Sequence, residues 1–357
     1  MSRSKARISG TRRSAAFQSL VTASLVLLLL TIGSAWSPVR AAGPALWIAS
    51  PQQSGVTGSV GGVLEIRPIW LLKSGAPKQV KILEGAEPLA NAAGVAFQPV
   101  GTLWVTTLNN TLLKFTPAQL NNLAKNPHPT PAATITSSAF GFILSCVFDS
   151  HVNLWIVDPL NNGVHEVSHA QLVAGTADIT PAVTITDSTD LASPAFATFD
   201  KAGNLWISSE GNGKLVEFAA SQLGTGGTPA PHVVITSSSL NAPGQLQFDK
   251  LGNLWVTNAG NSTVVEFTSA QLAASGSPAA TVVLSDDGSG SLDVPWGLQF
   301  DSTGRLWIYN YGGATATTTT ISKFAPVQLT ASGSPTPRIF LTGLPPFAAQ
   351  ITFGPRY

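Results

Sequence analysis

Short apolar segments, separated by residues that favour turns, recur from about residue 44 to the end of the chain. Phe248–Leu272 shows the unit most clearly. An apolar segment ends in Phe-Asp, a turn has Asp first and Gly fourth, and a second apolar segment begins with Leu-Trp. Asp and Gly at those positions are typical of a type I β-turn. The second segment is apolar at successive positions, which predicts a strand buried on both faces.

The Leu-Trp pair recurs six times, and successive tryptophans are 57, 51, 51, 49 and 52 residues apart. That period fits four short strands with their turns, the size of one propeller blade. We therefore predict an all-β fold, a six-bladed β-propeller with four-stranded antiparallel blades. The tryptophans are Trp47, Trp104, Trp155, Trp206, Trp255 and Trp307.

The second half of each unit has its own signature. A third apolar segment, such as Val264–Phe267, is followed by a capping box in which Ser or Thr precedes Gln by three residues. A link rich in Gly and Pro then leads to an outer strand, such as His232–Ile235 or Ala280–Leu284. The predicted capping boxes are Thr116–Gln119, Ser168–Gln171 and Thr268–Gln271.

The two ends of the repeat region complement each other. Ala349–Phe353 matches a first strand but lacks the Leu-Trp strand after it, and Ala45–Ala49 is a Leu-Trp strand without a first strand before it. Pairing the two would complete the sixth blade and leave no open sheet edge. We expect the ring to be closed in this way.

Residues 1–41 have the pattern of a secretory signal peptide: a basic start, an apolar segment from Leu20 to Ile32, and small residues before Ala41. An uncleaved membrane anchor is the alternative. We predict a mature domain over residues 42–357 that is secreted or periplasmic. The six cations of the leader are Arg3, Lys5, Arg7, Arg12, Arg13 and Arg40.

The charge balance argues against nucleic acid as a partner. The chain has 19 Lys and Arg against 18 Asp and Glu, and the leader holds six of the cations and no acid. The remaining domain is therefore acidic and has no basic run. Cys146, the single cysteine, stands in an apolar stretch, so we expect it in the core.

The recurring D-x-x-G-N-L-W-V-x-N block resembles NHL-repeat and SMP-30/gluconolactonase-like six-bladed propellers, with some likeness to streptogramin lyases. In SMP-30-like enzymes, the resemblance implies metal ligands just before the Gly that opens a first strand. Streptogramin lyases have a Trp-Phe-Thr-Glu strand, and here the third residue after each Trp is never Glu. The positions that match the metal ligands cannot ligate through their side chains: Ala93, Leu144, Ala195, Gly244, Trp296 and Ala349.

His165 to His169 reads H-E-x-x-H, the zinc-protease spacing, which requires both histidines on one helix face. The repeat instead assigns His165 to a third strand and His169 to a capped turn. We therefore expect the two imidazoles not to converge on a metal, and we predict no catalytic residue here.

Polar residues at the ends of second strands are candidates for ligand binding, because propellers bind ligands near the channel mouth. They are Asp158, Asn258 and Asn310, and Glu210 follows another such strand. Asx-type hydrogen bonds that brace a hairpin turn are the alternative explanation.

Aromatic residues near the ring closure are the other candidates. The long loops at 51–62 and 309–320 are expected to form one raised rim with Trp296, Gln299, Tyr309 and Tyr311. Such aromatics suit a carbohydrate, a peptide or another neutral polar ligand.

Two classes of function remain. The first is a monomeric binding or interaction module without a cofactor. The alternative is a hydrolase, lactonase or lyase, with a divalent ion held by Asp158, Glu210, Asn258 and Asn310. The acidic loop Asp286–Asp293 offers a weak possibility of Ca²⁺, but it lacks the alternating ligands of an EF-hand, and a solvated loop is the simpler interpretation.

Overall fold

Six four-stranded antiparallel sheets make up the computed structural model of the chain. It describes residues 44–51, 61–77, 82–84, 89–123, 125–126, 128–312, 319–344 and 350–357. The predicted signal peptide at 1–41 and most of both long loops lie outside the described residues. Within those residues, no helix has the length and apolar character needed to cross a membrane.

The strands follow one another in the order predicted from the repeat. The first twelve are β1 (Ala45–Ser50), β2 (Gly62–Ile66), β3 (Ile82–Glu84), β4 (Ala92–Phe97), β5 (Leu103–Thr107), β6 (Leu112–Phe115), β7 (Ala133–Ile135), β8 (Ser145–Phe148), β9 (Leu154–Asp158), β10 (Gly163–Val167), β11 (Val183–Thr186) and β12 (Pro194–Phe199). The others are β13 (Leu205–Ser209), β14 (Lys214–Phe218), β15 (Val233–Thr236), β16 (Pro243–Phe248), β17 (Leu254–Asn258), β18 (Thr263–Phe267), β19 (Val282–Ser285), β20 (Pro295–Phe300), β21 (Leu306–Asn310), β22 (Thr319–Phe324), β23 (Ile339–Leu344) and β24 (Gln350–Gly354).

The ring is closed by strands from both ends of the chain. Blade I consists of β24, β1, β2 and β3, and blades II to VI take the remaining strands four at a time in chain order. In blade I, Leu46 pairs with Phe353 and Ile48 with Ile351. The innermost strands β24, β4, β8, β12, β16 and β20 contact one another all the way around the ring. The predicted six-bladed propeller and its closure are therefore confirmed.

Tryptophan and phenylalanine hold neighbouring blades together. Each tryptophan of the Leu-Trp pair is at most 2% exposed. Trp255 meets Phe300 of the next blade edge to face, with ring centroids 6.1 Å apart. Asp249 Oδ2 accepts a hydrogen bond from Trp255 Nε1 at 3.3 Å, within the same blade. The Phe of each Phe-Asp motif thus packs on the tryptophan of the preceding blade, and the Asp binds the tryptophan of its own blade.

Two blades depart from this arrangement. In blade I, Trp47 Nε1 donates instead to the carbonyl oxygen of Pro355, in the C-terminal tail. In blade II, Gln98 replaces the turn aspartate, and the buried Nε1 of Trp104 has no hydrogen-bond partner among the described residues. The missing acid in the turn therefore leaves an indole N–H unsatisfied.

Glutamine clamps the loop between the third and fourth strands. Helices α1 (Pro117–Asn121) and α2 (His169–Ala174) begin with the predicted capping boxes of Thr116 and Ser168. The Thr268–Gln271 box forms the same hydrogen bonds around a turn. Gln271 Nε2 also donates to Ala279 O at 2.8 Å, so one side chain fixes both ends of the loop.

Candidate functional site

The propeller presents two different faces. The loop face carries the hairpins between second and third strands and the connectors between blades. The turn face carries the turns between first and second strands and the capped helical turns. The candidate residues at the ends of second strands belong to the loop face.

Buried glutamines join the innermost strands of neighbouring blades. Gln350 of blade I accepts hydrogen bonds from Val95 N and Cys146 N and donates to Cys146 O. Gln245 of blade V accepts from Leu298 N and donates to Ile351 O. Both residues are under 9% exposed, so these hydrogen bonds are buried.

The innermost strands approach one another closely enough for these glutamine side chains to bridge them. A Cβ atom on Gly94 would lie 2.5 Å from Thr106 Oγ1 and 2.9 Å from Gln350 Oε1. Only glycine leaves room there for the bridging amide. This role of Gln245 and Gln350 could not be predicted from the sequence, because the first strands also contain other polar residues, Gln247 and Thr352.

Trp296 lies at the loop-face end of the innermost strand β20. It is half-buried, follows Pro295 at the start of β20, and passes beside Gly244 of blade V. Its ring meets Phe196 of blade IV edge to face at 5.5 Å, so it spans the inner edge of one complete blade. Thr257 Oγ1 donates to Trp296 O at 3.1 Å and fixes the strand. Trp296 thus links blades IV, V and VI at the loop-face end of β20.

Asp158 is buried and holds the connector before β8. Its carboxylate accepts hydrogen bonds from the backbone N–H groups of Gly141, Phe142 and Asn161. Burial alone would raise the pKa of Asp158, but these bonds and one from His165 outweigh it and lower that pKa. The carboxylate therefore stays ionised inside the hairpin.

A hydrogen-bonded line crosses blade III at this position. His165 Nε2 lies 3.1 Å from Asp158 Oδ2, and its Nδ1 lies 3.0 Å from Thr184 Oγ1. His169 is exposed at the start of α2. The histidines of the H-E-x-x-H pattern thus lie in different elements and have different partners.

Asn258 and Asn310 repeat the role of Asp158. Asn258 accepts from Asn241 N and donates to Ser239 O. Asn310 accepts from Asp293 N and donates to Ser291 O. Both asparagines are fully buried, and their amides bind the connector that enters their own blade.

The other candidates do not gather at one point. Tyr309 is 1% exposed and packs between blades VI and I, whereas Tyr311 is half-buried at the edge of the same cluster. Gln299 pairs with Trp307 near the turn end of β20, away from Asn310, which pairs with Pro295. Gln299 therefore lies apart from the aromatic residues with which it was predicted to form a rim.

Glu210 stands on the loop face at the start of the 3-10 turn Glu210–Asn212. Its side chain is half-buried, and burial raises the pKa of its carboxyl. It is the acidic candidate whose carboxylate is not used to hold a connector.

The acidic loop after β19 uses its carboxylates internally. Asp286 accepts from Gly288 N, Gly290 N and Leu292 N, and Ser289 N donates to Asp287. No group of three or more His, Cys, Asp or Glu side chains suited to a metal ion occurs in the part of the chain that the structure describes.

Comparison with known proteins identifies the fold. No family model matches the chain, and no curated protein matches it. A protein of unknown function from Bacteroides caccae is similar at a TM-score of 0.60, with 11% identity over 87% of this chain and 99% of that one. A protein from Lactobacillus plantarum is similar at a TM-score of 0.53, with 12% identity over 87% of this chain and 99% of that one.

A streptogramin lyase-type protein is also among the similar structures. It is a catalytically inactive virginiamycin B lyase from Staphylococcus aureus with quinupristin, at a TM-score of 0.49 and 12% identity over 89% of this chain and 86% of that one. At such identities the likenesses concern the fold. This chain shares its fold with the Bacteroides caccae and Lactobacillus plantarum proteins.

Proposed function

We propose that this chain is an exported, monomeric propeller of the NHL-repeat and SMP-30-like type that binds a ligand at the channel mouth on its loop face. The observation that carries this proposal is Trp296, a half-buried aromatic ring at the loop-face end of β20 that packs against Phe196 of blade IV. An aromatic surface beside polar backbone groups suits a neutral polar ligand such as a carbohydrate or a peptide.

The buried polar residues of the loop face support binding over metal-dependent catalysis. The side chains of Asp158, Asn258 and Asn310 accept hydrogen bonds from connector N–H groups. An ion bound at these oxygens would leave buried N–H donors unsatisfied, at about 1–3 kcal/mol each. Among the described residues, no connector N–H group donates to the carboxylate of Glu210, so this acid is the candidate best placed to bind a ligand on the loop face.

Export is proposed from the leader at residues 1–41. Its basic start and apolar segment fit a secretory signal. Expression of the full chain with cell fractionation and N-terminal sequencing tests this step. We expect a mature protein that begins near residue 42 outside the cytoplasm, and an intact leader in the cytoplasm would contradict it.

The binding proposal is tested by the indole N–H resonance of Trp296, assigned in a Trp296→Phe variant. Neutral oligosaccharides and short neutral peptides serve as probes. We expect one class to shift this resonance saturably and Trp296→Ala to abolish the binding. Trp70→Ala, on a half-buried tryptophan of blade I, is the matched control. If neither class moves the Trp296 resonance, the proposal is wrong. Metal-dependent lactone turnover that is lost in Asp158→Ala would favour the enzymatic alternative.

A further inference from the structure

The turn face contains cavities between neighbouring blades. One of them, with a volume of about 710 Å³, lies between blades V and VI, and we call it the V–VI groove. Aromatic and aliphatic side chains, including Phe248, Trp255, Phe300 and Leu329, form its walls, and Glu266 and Asp249 face it. This volume is in the range of small-molecule sites, which combine apolar walls with a few polar groups.

One position of the repeat decides the charge of each groove. In every blade, a residue of the third strand stands directly opposite the tryptophan of the second strand, on the same face of the sheet. From blade I to blade VI these residues are Glu65, Lys114, Glu166, Glu217, Glu266 and Lys323.

In blades II and VI the chain places its own ammonium group at this position. Lys323 Nζ lies 4.6 Å from the centre of the Trp307 ring, and Lys114 Nζ lies 5.4 Å from that of Trp104. Both distances are typical of cation–π contacts. In these two blades, an ammonium group therefore packs over the indole ring of the second-strand tryptophan.

Blade IV supplies a different partner, a histidine. Glu217 is 3% exposed in its side chain, and its Oε2 lies 2.8 Å from His232 Nδ1. His232 is fixed next to it, because His232 N donates to Glu217 O. The carboxylate therefore has an imidazole of its own chain as its partner.

Blade V has the carboxylate without the cation. Thr281 takes the position of His232, since Thr281 N donates to Glu266 O, but its hydroxyl donates to Gln271. Glu266 is 7% exposed and accepts one hydrogen bond, from Asn253 at 2.8 Å. Among the described residues, no Lys, Arg or His forms an ion pair with it.

The charged groups around the groove leave this carboxylate available. Lys201 and Lys250 lie at the rim, and their ammonium groups donate to Lys250 O and Ser302 O of the next turns. Asp301 accepts from its own turn and lies 3.8 Å from Arg305. Burial, and then the nearby Asp249, raise the pKa of Glu266, as expected of a carboxylate without a countercharge.

We propose that the V–VI groove binds an organic cation, a primary alkylammonium, whose ammonium group pairs with Glu266 beside Trp255 and whose aliphatic chain packs against Phe300 and Leu329. The ligand supplies in blade V the ammonium group that Lys323 supplies in blade VI, and it takes the place beside the carboxylate that His232 takes in blade IV. This site lies on the turn face, so it is independent of the function proposed for the loop face.

The probe is 1-hexylamine, and hexan-1-ol and hexanoate are the controls of equal length. The readout is the indole N–H resonance of Trp255, which lies 3.3 Å from Asp249 Oδ2. We expect hexylammonium to shift this resonance saturably and to bind at least about tenfold more tightly than hexan-1-ol, because a charge-assisted hydrogen bond is added. Equal effects of amine and alcohol would overturn the proposal.

Two pairs of variants locate the site. Glu266→Gln keeps the shape and an acceptor for Asn253 but removes the charge, so the amine should bind about tenfold more weakly. Glu217→Gln is the matched control, and it should leave the response of Trp255 unchanged. Wild-type affinity in Glu266→Gln would contradict the proposal.

Thr281→His is the second test, and it decides the matter if Glu266→Gln fails to fold. It places in blade V the histidine that blade IV already has. In the folded variant, this histidine should occupy the position beside Glu266 and exclude the amine from the V–VI groove. The reverse change, His232→Thr, should create a new response to hexylamine at Trp206. A Thr281→His protein that binds hexylamine like the wild type would overturn the proposal.

Discussion

The two faces of the ring treat their carboxylates in opposite ways. On the loop face, Asp158 is buried among hydrogen-bond donors, which lower its pKa. On the turn face, Glu266 is buried in the V–VI groove with one donor and the like charge of Asp249 nearby, and its pKa is raised. Both acids are under 9% exposed, so burial does not distinguish them.

The difference shows that satisfied hydrogen bonds separate a structural acid from an available one. Asp158 stabilises the connector that it binds, whereas Glu266 costs stability that a bound cation would recover. From its position in the sequence alone, Asp158 was the expected ligand-binding acid, since it ends a second strand on the loop face.

The largest effect is expected for the wall of the V–VI groove. Trp255→Ala removes a ring that is 2% exposed and packs against Phe300. We expect the free energy of unfolding to fall by about 3–5 kcal/mol, measured by chemical denaturation. Trp70→Ala, on a half-buried ring, is the control and should cost less. A cost near zero would mean that the Trp255 ring is not packed between blades.

Asp158→Ala should be the next most damaging change. It leaves the N–H groups of Gly141 and Phe142 without their acceptor, so we expect a loss of about 2–4 kcal/mol at neutral pH. Because the pKa of Asp158 is lowered by folding, its contribution is present above the ordinary value of 3.8 and is lost as pH falls through the lowered value. Asp293→Ala, on an exposed loop-face acid, should show neither effect.

A stabilising change should come from repairing blade II. Gln98→Asp restores the turn aspartate and gives Trp104 Nε1 an acceptor, so we expect a gain of about 1 kcal/mol. Thermal unfolding measures it. In a Trp104→Phe background, which has no indole N–H, the gain should shrink; an equal gain there would show that the turn itself, rather than the indole, is responsible.

The smallest effect is expected for Glu266→Gln. Since folding raises the pKa of Glu266, the unfolded chain loses its proton first, near 4.5, and wild-type stability declines as pH rises through the folded pKa. Gln mimics the protonated acid, so the variant should match the wild type at low pH and equal or exceed it at neutral pH. Chemical denaturation across this range measures the difference, and a variant less stable than the wild type at neutral pH would contradict it.

The repeat was sufficient to predict the fold because its signals are local. Asp249 and Gly252 specify a turn, Thr268 and Gln271 a cap, and the period of the tryptophans the blade. The pairing of β24 with β1 followed from the two incomplete ends, and it is confirmed.

The candidate site was less predictable, because it depends on contacts between residues distant in the chain. Gln350 bridges to Cys146, and Trp296 reaches Phe196 across a blade. The role of Glu266 emerged only once the pairing register had placed it opposite Trp255 and beside Thr281. In the sequence, it is one glutamate among the equivalent residues of several repeats.

The comparison between the faces is tested most directly by carboxyl-carbon NMR, with Asp158 and Glu266 titrated in one sample. The account predicts a midpoint for Asp158 below 3.8 and a midpoint for Glu266 above 4.5, with the latter shifting downward when hexylamine is added. Midpoints at the ordinary values for both residues would contradict it.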